Sequence, residues 1–277
     1  MLNHANYYTN ENKYLTNSKI STYLRDKPTF KRWYIDGKLE WESSPSLIMG
    51  KAVDTWVLGN KYKFNKLFEI KVLKKNNPDK YEKQQATEKT LIAPEMYKKI
   101  EQMVNNLLDT KIIKDIKRRP WTKDTILKMD SDKIPNFDGI AGIPDVFQIN
   151  SDEATIIDLK TSAKIDEMSQ KMKKSVRKDL IKPRLSFYWH ASDYGYFRQL
   201  AFYSELIKRN YPNVNTFKYY WVVVGNQAPH HVQFYKVDSD VIDMVRDDLF
   251  ENIIPSICKD EKFKNDPIGW GDYIDIK

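Results

Sequence analysis

Cysteine is almost absent from this chain. One cysteine, Cys258, in 277 residues permits no intrachain disulfide and no four-cysteine zinc or iron–sulfur site, so a reducing cytoplasmic compartment is the expectation. Secretion is not expected either. The start, MLNHANYYTNENKY, has no basic segment followed by an apolar run, and nowhere do roughly 20 apolar residues succeed one another as a bilayer span requires, so no membrane is expected as a partner. Internal repeats, low-complexity tracts and Gly/Ser linkers are lacking as well, which makes residues 1–277 one expected domain. What is present suits a sizeable core: 41% of residues are hydrophobic and 13% aromatic. The 46 basic against 38 acidic residues leave a charge of +8. Such an excess fits a polyanionic partner, but a merely Lys-rich soluble protein carries it too, so charge alone does not decide between them.

Periodicity divides the chain into helical and strand regions. TNSKISTYLRDK (16–27) places Ile20, Tyr23 and Leu24 at helical spacing before Pro28, and an aromatic turn with Phe30, Trp33 and Tyr34 follows. Ser44 and Pro45 mark the start of a helix that runs through SLIMGKAVDTWVL to Leu58. Residues 60–92, Lys-rich and poorly periodic, read as an irregular solvated excursion. PEMYKKIEQMVNNLLD then sets Met96, Ile100, Met103, Val104, Leu107 and Leu108 on one face. The period changes after that. TKDTILKM, GIAGIPDVFQI and ATIIDLKT read as strands, the last two joined by the turn-prone NSDE into a hairpin. Residues 164–194 read as irregular, basic and aromatic. RQLAFYSELIKR is expected as a helix, FKYYWVVVG and HHVQFYKV as strands, and DVIDMVRDDLFENIIPSI as a closing helix. The fold class is therefore α/β.

Chemistry concentrates in the hairpin. Asp145 is expected near the middle of the first strand, in IPDVF; Asp158 and Lys160 lie in the second, in IIDLKT. Strand alternation puts Asp158 and Lys160 on one face and Ile157 and Leu159 on the other. If the turn brings Asp145 opposite, two carboxylates and an ammonium converge. A solvated strand face with a cross-strand ion pair would explain an isolated D-x-K equally well. The Ile, Val, Phe and Leu around these charges weigh against that, because the charges are costly there unless a metal ion and a polar substrate occupy the site.

Other residues admit two readings each. Asp54 sits in a helix so apolar that only a narrow polar stripe remains with Gly50 and Lys51, and it is either an exposed helix charge or a site carboxylate. Gln199 and Tyr203, four apart, share a helix face, as a polar edge or as a positioning pair. Arg198 is either solvated or functional. Between Lys164 and Arg184 lie Lys171, Lys173, Lys174, Arg177, Lys178 and Lys182, followed by Phe187, Tyr188, Trp189 and His190. Such a mixture suits a groove that tracks a nucleic-acid strand, with cations for phosphates and rings for bases. A solvated helix with a packed aromatic end fits it too. His190 is either a phosphate or metal contact or, as a lone His in an aromatic cluster more often is, a packing residue; the packing reading applies to His4, His230 and His231 as well.

Taken together, P-D, twelve residues, then D-L-K resembles the PD-(D/E)XK nuclease superfamily. GKAVDTWVL is similar to the G-x-x-x-H-x-x-x-L helix of its RecB-like branch, with Asp54 where that branch has His; Gln199 and Tyr203 in QLAFY match its Q-x-x-x-Y helix. SKISTYLRDKPTFKRWY and WVVVGNQAPHHVQFYKVD resemble segments of the exodeoxyribonuclease VIII (RecE-type) and lambda-exonuclease relatives, so the likeness spans residues 16–272.

The resemblance implies a restriction-endonuclease-like core, a mixed sheet flanked by helices, over residues 45–237, with an N-terminal elaboration (1–44) and a C-terminal helix and tail (238–277). It implies Mg²⁺, replaceable by Mn²⁺, held by Asp54, Asp145, Asp158 and the Leu159 carbonyl. Lys160 would orient the attacking water, with Gln199 and Tyr203 fixing phosphate or outer waters. A carboxylate at position 54 keeps the site suited to hard cations. The implied activity is a 5′-to-3′ exonuclease on linear duplex DNA that leaves 3′ tails for recombination in a bacterial or phage-infected cell, as a ring-shaped homo-oligomer working with a single-strand annealing protein. Lys171, Lys173, Lys174, Arg177, Lys178, Trp189 and Arg198 are the expected DNA contacts. A structure-specific or defence endonuclease of the same fold and a non-catalytic DNA-end-binding protein are the alternatives. The related CRISPR adaptation nucleases carry cysteines for an iron–sulfur cluster, and one cysteine excludes that version.

Overall fold

Helices begin where the sequence supplies caps. The computed structural model describes residues 2–4, 6, 7, 9, 12–38, 43–163, 165 and 186–260. After β1 (Tyr14–Leu15), the Thr16 hydroxyl accepts the Lys19 N–H and opens α1 (Asn17–Arg25); Asp26 accepts from Thr29 at the head of α2 (Lys27–Phe30), which runs into a π turn at Lys31–Ile35. Ser44 caps α3 (Pro45–Asp54), with Pro45 in its first turn, and a second π turn, Thr55–Gly59, extends it.

Residues 60–92 are not the irregular excursion that their composition predicts. Asn60 caps α4 (Lys61–Leu67), β2 (Phe68–Ile70) pairs in parallel with β3 (Thr90–Ile92), and between them Asn77 caps α5 (Pro78–Gln85). Phe64, Phe68 and Ile92 are buried, and buried Gln84 donates to Glu69 and to the Ile70 carbonyl while accepting the Val72 N–H. Three apolar anchors among so many lysines are too sparse to register as a period. The next helix, α6 (Pro94–Asp109), buries Ile100, Met103, Val104 and Leu107, with Met96 and Leu108 at its margin, and α7 (Lys111–Arg118) follows.

Two expected strands are each divided between sheets. TKDTILKM splits into β4 (Thr122–Lys123) and β5 (Leu127–Asp130) around Asp124, whose φ of 52° is left-handed. GIAGIPDVFQI splits into β6 (Gly139–Gly142) and β7 (Val146–Asn150), because Pro144 has no N–H for a ladder. Asp145 therefore stands just before a strand rather than in its middle. The hairpin itself forms as expected: β7 pairs antiparallel with β8 (Glu153–Ser162), from Val146 opposite Ile157 to Asn150 opposite Glu153. Residues 186–193 are helical (α8, Ser186–Asp193) rather than irregular, with Phe187 and Ala191 buried one turn apart.

The remaining elements are α9 (Tyr196–Asn210), β9 (Thr216–Gly225), β10 (Val232–Val237), α10 (Ser239–Asp248) and α11 (Ile254–Lys259). The expected single closing helix is interrupted by a π turn at Leu249–Ile253, just before Pro255, which lacks the donor a continuous helix needs.

The main sheet has the order β10-β9-β8-β7-β4. Within it β8 and β9 run parallel, in register from Glu153 opposite Thr216 to Ser162 opposite Gly225, while the other pairs are antiparallel. A second sheet, β1-β6-β5, and the β2-β3 pair complete the strands described. Helices cover both faces of the main sheet. Ile156, Trp221 and Val223 pack with Leu200 and Ala201 of α9, whereas Ile157, Leu159, Val222 and Val224 pack with Ala52 and Val53 of α3 and with Met103 of α6. This is the mixed, helix-flanked α/β core expected from the sequence. His230 is a packing residue, buried with Nδ1 2.8 Å from the Gly225 carbonyl and Nε2 3.1 Å from Gln102 Oε1. Among the described residues, no helix is long and apolar enough to cross a membrane.

Candidate active site

The site forms where β7 and β8 part. Their ladder ends at Val146 and Ile157, but β8 continues to Ser162 against β9 alone. Two residues beyond the last pair, the Leu159 N–H is taken by a side chain: it donates to Asp145 Oδ2 at 2.8 Å. Asp145 thus replaces a backbone partner at the point of divergence. Leu159 itself lies opposite Val222 with its side chain in the core.

On the α9 side of β8, the alternation predicted for Asp158 and Lys160 is observed. Lys160 Nζ lies 2.6 Å from Asp158 Oδ2 and donates to Gln199 Oε1 at 3.0 Å. Gln199 Nε2 in turn donates to the Tyr203 hydroxyl at 2.9 Å, so the pair four apart on α9 forms a relay from the ammonium to a buried phenol. The ring of Tyr196 faces Lys160, 4.7 Å from centroid to Nζ. Tyr196 was not singled out from the sequence, although its place three residues before Gln199 puts it on the same helix face. Close approach of α9 is possible because β6 ends in Gly142, where a Cβ would lie 2.9 Å from the Tyr203 ring and from Leu206.

Electrostatics set this cluster apart. Asp158 is 1% exposed, and its Oδ1 has no hydrogen-bond partner. Burial raises the Asp158 carboxyl despite the opposing charge of Lys160. The Asp145 carboxyl is pushed up to about 7 by burial and by the charge of Asp158. Asp54, the last residue of α3, is raised well above the ordinary range by burial and then by Asp145, which brings it into the same electrostatic neighbourhood. Burial alone would lower Lys160, but Asp158 and Asp145 outweigh it and raise its pKa. Tyr203 is raised well above its usual value, chiefly by burial. Asp124, in the loop after β4, adds a further negative charge that raises Asp54 and Asp145; it pairs with Lys63 at 2.5 Å. Nothing in the local sequence marks Asp124, because its proximity comes from the turn that splits the two strands.

The donor set suits a hard cation. Three carboxylates, each raised by burial, with one carboxylate oxygen left without a hydrogen bond, are stabilised by a divalent ion more than by any neutral partner. Among the described residues no three His, Cys, Asp or Glu side chains stand as a ready-made metal cage; Asp145 and Asp158 are turned instead to the Leu159 N–H and to Lys160.

The other expected contacts separate into three groups. Arg198 donates to Asn17 Oδ1 at 3.2 Å and to Ser21 Oγ at 2.6 Å, fastening α9 to α1. Trp189 is 53% exposed on α8. Lys171, Lys173, Lys174, Arg177 and Lys178 lie outside the described residues.

Comparison with known proteins agrees with this core. The crystal structure of a putative exonuclease from Eubacterium rectale aligns at 17% identity over 93% of this chain and 86% of its own, with a TM-score of 0.59; at that identity the likeness is one of fold. A crystal structure of SSO0001 aligns at 11% identity over 78% and 80% of the two chains, but its TM-score of 0.25 carries no argument. No curated protein matches the sequence. The family model described as PDDEXK-like domain of unknown function (DUF3799) matches residues 34–273, which contain Asp54, Asp124, Asp145 and Asp158. With that span covered, the chain belongs to this PDDEXK-like family.

Proposed function

We propose that the chain is a metal-dependent deoxyribonuclease that degrades linear duplex DNA from its ends, 5′ to 3′, and leaves 3′ single-stranded tails for recombination. The observation that carries the reading is the buried Asp158, with an unpartnered Oδ1 beside Asp145 and a fixed Lys160 ammonium. A Mg²⁺ or Mn²⁺ ion held by Asp54, Asp145, Asp158 and the Leu159 carbonyl would polarise the scissile phosphate and lower the pKa of a bound water. Lys160 supplies the protein's own part. Its ammonium, held by Asp158, Gln199 and the Tyr196 ring, presents a positive donor to the water or to a phosphate oxygen without moving. Gln199 and Tyr203 keep that donor in place. Asp145 keeps its carboxylate at the fork of β7 and β8 through the Leu159 N–H.

Direction and pathway rest on a motif order that resembles that of RecE-type enzymes; the E. rectale protein, described as a putative exonuclease, has a similar fold. A ring-shaped homo-oligomer and an annealing-protein partner belong to the same reading. Duplexes labelled at either the 5′ or the 3′ end, digested with Mg²⁺, test it: label should leave from the 5′ end first, covalently closed circles should resist, and Lys160→Ala and Asp145→Asn should each lower the rate about 100-fold or more. Wild-type rates in both variants would refute the site. Efficient nicking of closed circles would favour the endonuclease alternative.

A further inference from the structure

An aromatic ladder leads from the surface to Lys160. Tyr196 lies against the ammonium, His190 of α8 stands 6.0 Å from the Tyr196 centroid and 4.2 Å from that of Tyr194, and the two tyrosines are 6.0 Å apart. The outermost ring, Tyr194, is 54% exposed and belongs to neither apolar core. Its backbone is held by the Tyr194 N–H, which donates to the His190 carbonyl at 3.0 Å. Gly195, which follows, has a φ of 68°, and a Cβ there would collide with the Arg198 guanidinium, itself tied to Asn17 and Ser21 of α1. On the inner side Phe187 is fully buried against Trp221, anchoring α8 one turn before His190.

A π-faced ledge at the surface that ends at a fixed cation fits a ligand that is flat at one end and anionic at the other. A nucleotide has that form. An interior base of a duplex has both faces stacked and a terminal pair shows only its outer face, held by its partner, whereas a base released from its pair can turn onto this ledge while its phosphate sits at Lys160. We infer that Tyr194, with His190 and Tyr196, forms a stacking platform for one unpaired nucleobase next to the phosphate at Lys160, so that the preferred substrate is a DNA end whose terminal pair is open. The inference rests on the nuclease reading and deepens it by naming the form of the substrate.

Binding measured with the metal withheld by chelator separates this platform from catalysis. The probe is a short duplex with 2-aminopurine at a mismatched 5′ terminus, and wild-type protein should quench its fluorescence. Tyr194→Ala should lose the quench and bind that end about 5- to 100-fold more weakly, whereas Tyr194→Trp restores both. On the same duplex with an abasic terminus, wild type and Tyr194→Ala should bind alike. An equal loss on base-bearing and abasic ends overturns the platform, as does a Tyr194→Ala variant that keeps the quench or differs only in oligomeric state. Cleavage with Mg²⁺ is scored separately. Wild type that hydrolyses DNA but binds both ends equally sinks the platform alone; wild type that quenches in a base-dependent way yet hydrolyses nothing sinks the nuclease reading and leaves the platform standing.

Discussion

Asp145 links the chemistry of the site to the stability of the fold. Its carboxyl titrates at about 7 against an ordinary value of 3.8, because burial and the charge of Asp158 disfavour the ionised form. Between roughly pH 4 and pH 7 the folded chain therefore keeps a proton that the unfolded chain has released. Its stabilising contribution is complete below that window and is lost as pH rises through it. Asp54 and Asp158 shift in the same direction, so without metal the protein weakens toward neutral pH. Asp145→Asn should match wild type near pH 4 and exceed it at pH 8 by about 1–3 kcal/mol in chelator, read by urea or thermal unfolding. Mg²⁺ should raise the wild-type Tm and leave that of the variant nearly unchanged. Identical pH profiles for the two proteins would contradict a protonated Asp145. Alternation along ATIIDLKT was enough to foresee the Asp158–Lys160 pair, since strand geometry puts residues two apart on one face. The Asp145 to Leu159 N–H bond was not legible, because it depends on where two strands separate.

At the scale of elements, the seat of α9 on β6 controls the relay. Gly142 leaves just enough room for the Tyr203 ring and Leu206. Gly142→Val would push Tyr203 outward and strain the relay through Gln199 to Lys160. We expect such overpacking to cost about 1–3 kcal/mol of stability and to lower cleavage more than stability explains, measured as kcat at a temperature where the variant remains folded. Activity equal to wild type in a folded variant would mean that Tyr203 does not govern Lys160. The helices α3, α6 and α9 were legible because each carries an apolar stripe long enough to define a period. The elements between residues 60 and 92 were not, because their stability comes from a buried Gln84 hub and scattered aromatics that no period captures. Nor did composition show that GIAGIPDVFQI serves two sheets: both halves are β-formers, and only Pro144 hints at the break.

For the whole molecule, the +8 charge must be set against an acidic site. Asp54, Asp145 and Asp158 offer a phosphate backbone no attraction and repel it once ionised, so attraction has to come from lysines elsewhere. DNA affinity should fall steeply with salt, log K declining linearly with log salt concentration. Replacing Lys171, Lys173 and Lys174 together by Gln should reduce the magnitude of that slope by up to about 3, one unit for each phosphate no longer neutralised. An unchanged slope would mean that DNA is held by other cations.

The parallel ladder of β8 and β9 has a consequence for how such a protein diversifies. Asp158 and Lys160 are on the strand that enters the crossover, Gln199 and Tyr203 on the helix that leads out of it, and ten matched residue pairs join the two strands whatever lies between. Insertions or deletions between Ile165, which packs on the core, and Ser186 should therefore leave the register of the chemistry untouched. The segment that holds Lys171, Lys173, Lys174, Arg177, Lys178 and Lys182 can change length and composition without shifting that register. The cations there can be exchanged while Asp158, Gln199 and Tyr196 keep their places around the Lys160 ammonium.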